Sequence, residues 1–303
     1  MIIFLHHPHG QTANHLLLHT TFRAACITRR CQLLNGKLSL IDRKFAFSRP
    51  TRRWIAHRMA EKMLCRYFRI MRPAPRQRRL FPGVRYIYNH VGSPYIDLDD
   101  NQQLNEIFRS SFAAVIQGFR FSATESVIRH ADRLRQELNF DHVTQKRAAK
   151  TIDIHPSDVR IGIHVRRGDY EKYQGGQFFY QIEDYVRIMR SLVKQHPGRQ
   201  CRFFVCSNER LQDEQFAGLN VHISRASPVD DMALLAACDL IVGPPSTFSL
   251  WSAWISRKRL LHIYDRLAPI VSADAAVPRN LDILWATATR GRLRENIDVS
   301  TDG

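Results

Sequence analysis

The sequence predicts an α/β protein with a parallel sheet in its second half, and three observations carry that expectation. Val159, Ile161, Ile163 and Val165 alternate with Arg160, Gly162 and His164, the period-two signature of a β-strand. Further short apolar runs, at Cys201 to Cys206, Val221 to Ile223 and Leu240 to Gly243, recur between helical patterns. Strands alternating with helices imply right-handed βαβ units and a parallel sheet. The third observation is that consecutive strands end in polar clusters, which a parallel sheet gathers on one edge.

From the N-terminus, Met1-Ile-Ile-Phe-Leu5 reads as a buried strand, and a helix is expected through Leu16, Phe22, Ala25 and Leu33. The polar loop between them, with Gly10 and Asn14, is a candidate ligand loop. It carries neither the P-loop nor the dinucleotide glycine pattern. His6, His7, His9 and His15 have no carboxylate or Cys at ligand spacing, which argues against a metal. Residues 43–85 form a basic block, with fourteen Lys or Arg against Glu61 alone. Within it, Arg52 to Met71 sets Ile55, Met59, Met63, Tyr67 and Ile70 on one helical arc, opposite His57, Arg58, Glu61, Lys62 and Arg69. Such a helix either lies on an anionic membrane surface or packs on its own domain with a solvated basic face. Pro73 to Arg79 is a loop, Val84 to Tyr88 a strand, and Asn101 to Arg147 holds helical patterns interrupted near Gly118 and Asn139. The break at Ile154-His-Pro-Ser157 sets a domain boundary, giving domains 1–152 and 153–303.

In the second half, strand 159–165 is followed by the loop Gln174-Gly-Gly-Gln177 and a helix through Ile182, Tyr185, Ile188 and Leu192. A strand ending at Ser207 and Asn208 comes next, then a short strand at Val221, a helix over Asp230 to Cys238, the strand from Leu240, a helix beginning near Ser246, and a strand over Leu260 to Ile263.

Composition bounds the function classes. A hydrophobic share of 44% over 303 residues builds a substantial core and argues against disorder. The net charge of +17 attracts polyanions, whether nucleic acid, anionic membrane or nucleotide-linked substrates. Nucleic-acid readout elements are missing, which disfavours that partner. The cysteines at 26, 31, 65, 201, 206 and 238 show no CxxC pair and no zinc spacing. Met1 to Leu5 is too short for a signal peptide, and no apolar run reaches the ~18 residues of a membrane span. A reduced, cytoplasmic protein is expected.

Three exits then converge: His164 to Tyr170, Ser207-Asn208, and Gly243-Pro-Pro-Ser-Thr-Phe-Ser249. Pro244 and Pro245 hold the chain extended, and Ser246 is a natural N-cap. Thr247 and Phe248 then present backbone N–H groups without helical partners, and a helix N-terminus attracts anions. With Arg166 or Arg167 opposite, the result is a diphosphate clamp, because a guanidinium fork matches phosphate oxygens bidentately. Asp239, at the start of the preceding strand, is either an ordinary strand-start residue or reaches a nucleotide base or ribose.

His164-Val-Arg-Arg-Gly-Asp-Tyr170 resembles the His-x-Arg-Arg-x-Asp-Tyr motif of the α-1,2-fucosyltransferases, glycosyltransferase family eleven, and more loosely the α-1,6- and protein O-fucosyltransferases. Phe204-Val-Cys-Ser-Asn208, Asp230-Asp-Met-Ala-Leu-Leu, Asp239-Leu-Ile-Val-Gly and Ser246-Thr-Phe-Ser-Leu-Trp-Ser-Ala-Trp254 follow in the family's order, so the resemblance covers residues 158 to 263. Leu250 stands where the family has Trp, and the N-terminal loop His9-Gly-Gln-Thr-Ala-Asn-His15 lacks the family's second Gly. The resemblance implies the GT-B arrangement: two Rossmann-like domains facing across a cleft, acceptor-side first and nucleotide-sugar-binding second. It implies an inverting, metal-independent transfer of L-fucose from GDP-fucose to a glycan hydroxyl, galactose O2 in the named family, with no cofactor. Arg166 becomes the main β-phosphate partner, with Ser246, Thr247 and Phe248 completing the cradle. His164, Arg167, Asp169, Tyr170 and Ser207 support it, Asp239 contacts the nucleoside, and Gly10 and Asn14 serve the N-terminal loop. Asp169 and Glu171 are the carboxylates near enough to take the acceptor proton. The glycan acceptor and the basic block together suggest a peripheral position on the inner membrane. Two rivals remain, a GT-B transferase using another nucleotide sugar and a non-catalytic carbohydrate- or nucleic-acid-binding protein.

Overall fold

Parallel strand pairing dominates both halves of the computed structural model. It describes residues 1–6, 11–35, 45, 59, 62–63, 66, 79–81, 84–89, 93–100, 102, 105, 112–152 and 157–281. Gly10 and most of the basic block lie outside these residues, and so do the amphipathic arc's Ile55, Tyr67 and Ile70. Met59 and Met63 of that arc are helical and exposed, at 61% and 71%. The chain divides into two units, 1–141 with 280–282, and 142–279 with 283–303.

The first unit contains β1 (Ile2–Leu5), α1 (Thr12–Arg29), β2 (Gln32–Asn35), β3 (Arg79–Phe81), β4 (Val84–Asn89), β5 (Ile96–Asp97), β6 (Ala113–Gly118), β7 (Phe121–Ser122), α2 (Thr124–Arg129) and α3 (Ala131–Leu138). Its five-stranded sheet runs β2-β1-β6-β4-β3, parallel except for β3. Phe4, Leu34, Tyr86 and Val115 pack together, one from each parallel strand. Two expectations fail here. The first helix ends at Arg29, because Arg30 turns left-handed at φ 53° and the Cys31 amide donates to the Cys26 carbonyl at 3.0 Å. That is the helix-ending Schellman pattern, and it places Leu33 in a strand. The central strand β6 lies inside the stretch read as helical; Ala113-Ala-Val-Ile-Gln-Gly118 is a short apolar run whose period does not distinguish the two states.

The second unit contains α4 (His142–Thr151), β8 (Val159–Val165), α5 (Ile182–Lys194), β9 (Cys201–Ser207), β10 (Val221–Ile223), α6 (Pro228–Ala237), β11 (Leu240–Gly243), α7 (Thr247–Ser256) and β12 (Arg259–His262). Here α4 joins the second unit, so the division falls at Asp141 rather than near residue 152. Arg147 of α4 donates to Asp230 of α6 at 2.7 Å, which ties that helix to its unit. The sheet order is β10-β9-β8-β11-β12, every neighbour parallel. From β8 the chain winds outward through β9 to β10, then returns to β11 and winds the other way to β12. The order therefore reverses between β8 and β11, and open sheets bind ligands outside the strand ends at such a reversal. Both faces of the sheet are covered, so β11 reads as a continuous apolar run, and Ile161, Phe203, Val205 and Val242 are fully buried. One close approach shapes the reversal point. Gly243 has no Cβ, and an added one would lie 2.7 Å from the His164 carbonyl oxygen.

Candidate functional site

The site grows from the end of β8. After Val165 the backbone turns through Arg166 and Arg167 into a 3-10 turn, Gly168–Glu171. The exit of β9 holds that turn in place. Asn208 Oδ1 accepts from the Arg167 amide at 3.2 Å, Glu209 Oε1 from the Gly168 amide at 3.0 Å, and Ser207 Oγ from the Glu209 amide at 3.1 Å. Below them, Tyr185 of α5 accepts from the Arg166 amide at 3.4 Å through a buried hydroxyl. The neighbouring exits thus fix each other through backbone amides.

Each of the two adjacent arginines has its own carboxylate and its own aromatic face. Arg166 Nη2 lies 2.8 Å from Asp169 Oδ2, and its guanidinium sits 5.6 Å from the Tyr170 ring centroid. Arg167 faces Glu209 at 3.6 Å and lies 5.1 Å from the Phe179 centroid. Opposite charge relieves the repulsion between the two cations, while the aromatic faces limit their motion. Arg166 is the more enclosed, with 12% of its side chain exposed.

Across the reversal point stands the start of α7. Ser246 is its N-cap, extended at φ −152°, and its Oγ accepts from the Phe248 amide at 3.2 Å. The two exits are joined directly: the Tyr170 hydroxyl donates to the Pro245 carbonyl at 2.6 Å in a buried bond. Tyr170 is accordingly buried, with its phenol pKa pushed up chiefly by burial. A second link is the His164 ring, stacked on Phe248 at 4.9 Å. Burial first, then the Arg166 charge and His262, drives the His164 pKa down to about 3, so its ring is neutral at ordinary pH. Its Nδ1 is buried without a hydrogen-bond partner. His262 on β12 is likewise pushed down by burial, to about 4, and its Nε2 lies 3.3 Å from Ser249 Oγ of α7.

The geometry brings His164, Arg166, Arg167, Asp169, Tyr170, Ser207, Ser246, Thr247 and Phe248 to one edge of one sheet. Glu171 ends the 3-10 turn there and is exposed. Three readings need correction. The Phe248 amide is taken by its own cap, which leaves its ring to anchor His164. The Tyr170 hydroxyl is engaged with Pro245 and serves as a brace. Asp239 sits at the opposite edge, at the start of β11, where it accepts from Arg160 Nε at 2.8 Å and Nη2 at 2.9 Å and faces Lys258 at 3.7 Å. It clasps three strand beginnings together. Asn14 stands in the first turn of α1, in the first unit, and Gly10 is outside the described residues. Glu209 and Tyr185 escaped the sequence reading. The signal for Glu209 was a carboxylate two positions beyond a strand that ends in Ser-Asn; Tyr185 gave none, since it reads as an ordinary core residue of an amphipathic helix. The exit of β10 adds a fourth polar cluster to this edge, with Ser224 bonded to the buried Asp231 and Ser227 capping α6. Among the described residues, no group of three His, Cys, Asp or Glu could hold a metal ion.

The Asp239 clasp has a pH signature. Burial alone would raise its carboxyl pKa, but the Arg160 hydrogen bonds and charge outweigh burial and hold it below its ordinary 3.8. A depressed carboxylate stabilises the fold above its unfolded pKa, and that stabilisation is lost as the pH falls through the folded value. Asp239→Asn is therefore expected to lower the thermal midpoint at neutral pH and to flatten the midpoint's decline below about pH 4. Melting curves across that range check it.

Comparison with known proteins agrees with this geometry. The model of the glycosyl transferase family 11 matches residues 86–266, more than half of the chain. Over 154 residues the chain is 29% identical to galactoside alpha-(1,2)-fucosyltransferase 1 of Sus scrofa, covering 46% of this chain and 40% of that protein. The chain thus spans two-fifths of the length of that relative. Among solved structures, a variant of Arabidopsis thaliana FUT1 in complex with GDP superposes with a TM-score of 0.54 at 11% identity, covering 93% of this chain and 74% of that one. POFUT1 in complex with GDP-fucose gives 0.52 at 10% identity over 85% and 94%. The fucosyltransferase NodZ from Bradyrhizobium gives 0.52 at 14% identity over 86% and 94%. These three share the fold, the α/β architecture of the GT-B fucosyltransferases. With its arginine-tipped strand, capped helix and sheet order inside the matched segment, the chain belongs to glycosyl transferase family 11.

Proposed function

We propose that the protein is an inverting, metal-independent glycosyltransferase that moves L-fucose from GDP-fucose to a glycan hydroxyl, galactose O2 being the expected acceptor position. The observation that carries this reading is the pair of arms at the β8/β11 reversal: the Arg166 guanidinium on one strand exit and the N-terminus of α7 on the other, joined by the Tyr170–Pro245 bond. In the reaction, the acceptor oxygen attacks the anomeric carbon from the face opposite the diphosphate. The bond from that carbon to the phosphate oxygen breaks, its electron pair leaves with GDP, and the acceptor proton passes to a base. Charge grows on the departing diphosphate, so preorganised cations and amides aimed at it lower the barrier. Arg166 meets the β-phosphate, with Ser246 and Thr247 at the helix start completing the cradle. Arg167 and Asp169 hold Arg166 in place, and neutral His164 supports α7 through Phe248 without adding positive charge. Ser207, with Asn208 and Glu209, fixes the turn that carries both arginines. Asp169 or Glu171 takes the acceptor proton; Glu171 has no ion pair among the described salt bridges, whereas Asp169 is engaged by Arg166. Asn14, in the first turn of α1, serves the acceptor side.

A thermal-shift panel tests the donor. GDP and GDP-fucose are expected to raise the melting midpoint without added magnesium, and more than GDP-mannose or UDP-sugars do. A strict metal requirement, or a preference for UDP-sugars, sinks this reading. Arg166→Lys should stay folded and lose roughly 10²- to 10³-fold in transfer rate, the loss expected on removing a major transition-state donor and its fork; wild-type turnover in that variant contradicts the assignment.

We further propose a peripheral position on the cytoplasmic face of an anionic membrane. It is supported by the basic block 43–85 and by the exposure of Met59 and Met63, four residues apart on its helix. No described helix is long and apolar enough to cross a membrane. Co-sedimentation with phosphatidylglycerol vesicles, weakened by salt and by Met59→Ser with Met63→Ser, is the expected outcome. Equal binding to neutral phosphatidylcholine vesicles, or none to either, rejects it.

A further inference from the structure

The sheet of the first unit has a reversal point of its own. From β1 the chain passes through α1 to β2 on one side, while β6 and β4 lie on the other. These four strands are parallel, so the ends of β1, β6 and β4 share an edge. In an open parallel sheet that is the edge at which ligands bind.

That edge carries a built feature. The Arg120 guanidinium, two residues past β6, lies 5.0 Å from the ring centroid of Tyr95, which immediately precedes β5. Tyr95 still keeps 48% of its surface exposed. The backbones beneath the pair are fastened by Asn89, the last residue of β4, which is 3% exposed. Its Nδ2 donates to the Arg120 carbonyl at 2.8 Å and to the Pro94 carbonyl at 3.2 Å, and the Ile96 amide donates to the Arg120 carbonyl at 2.9 Å. Gly118 makes the approach possible: its φ is +126°, and a Cβ there would lie 1.9 Å from the Asn89 carbonyl oxygen. Asn89 Oδ1 and Arg120 Nε are buried with no hydrogen-bond partner among the protein groups of the described residues.

We infer that Tyr95 and Arg120 form a carbohydrate-binding platform that receives a hexopyranose ring of the acceptor glycan. The chemistry fits a neutral sugar. One pyranose face is lined with C–H groups that pack on the aromatic face Arg120 leaves uncovered, while the guanidinium on the other face holds the ring in place. A single arginine, already stacked, matches a neutral ring better than a polyanion. Taking this sugar as the acceptor rests on the glycosyl-transfer reading above, whereas sugar binding itself does not.

The test uses the full chain with a printed array of neutral oligosaccharides that includes N-acetyllactosamine and lactose, alongside a separate GDP titration of the wild type. The wild type is expected to bind a subset of the array. Tyr95→Ala should lose at least about fivefold in affinity for that subset, and Tyr95→Phe should retain it within about twofold, with melting midpoints confirming that both are folded. Undiminished binding by Tyr95→Ala, or a wild type that binds none of the array, overturns the platform. Array binding lost in Tyr95→Ala together with failure to bind GDP would keep the platform and reject the transfer reading. GDP binding with undiminished array binding would reject the platform alone.

Discussion

The hydrogen bond from Tyr170 to the Pro245 carbonyl joins the two arms that a departing diphosphate would need, and the geometry of the second unit is arranged around it. One arm is the turn that carries two arginines; the other is the first turn of a capped helix. They come from different strands, and their separation is set by the parallel pairing of β8 with β11, Leu240 to Val242 against Ile161 to Ile163. Gly243 lets that pairing run to its end without a side chain pushing against His164. Electrostatic stabilisation depends on donors that need no rearrangement when charge develops, and a buried tyrosine that spans the two arms fixes them relative to each other.

Holding two adjacent guanidiniums at a strand end is costly unless each is compensated. Asp169 and Glu209 supply the charge, and Tyr170 and Phe179 supply flat surfaces for stacking. His164 follows the opposite logic. Beside Arg166 a charged imidazole would add a third cation, and burial keeps the ring neutral instead. It contributes shape, stacked on Phe248, so that the helix start and the arginine strand move as one body. The polar residues of this edge thus divide into those that present charge and those that hold them still.

Much of this was legible in the residues. The alternation over Val159 to Val165 and the Pro-Pro-Ser sequence before Thr247 specify local structure strongly, and the strand and capped helix appear at those residues. What the sequence hid has physical causes. Asp239 reads from sequence as either an ordinary strand-start residue or a nucleoside contact, and only its partners Arg160 and Lys258 decide for the first. The Phe248 amide seemed available because a cap is visible in sequence, but which amide the Ser246 hydroxyl oxygen accepts from is not. Strand β6 was lost because five small or apolar residues and one glutamine carry no decisive period, and α1 was overextended because the left-handed turn at Arg30 lacks the usual glycine. Tyr185 and Asn89 act through a single hydroxyl and a single carboxamide inside the fold, and only their partners distinguish them from filler.

The distribution of charge separates two functions that the composition had merged. The net charge of +17 suggested an electropositive site, yet both site arginines are matched by carboxylates, Asp169 in the same turn and Glu209 on the exit of β9. Residues 43–85 hold fourteen basic side chains against one acid, most of the surplus of the whole chain. A field of that size attracts an anionic ligand or surface over roughly a Debye length, about 8 Å at physiological ionic strength, and fades beyond it. On the proposed reading the clamp at β8 and β11 acts by short-range contact, so long-range attraction and short-range recognition fall to different stretches of the chain.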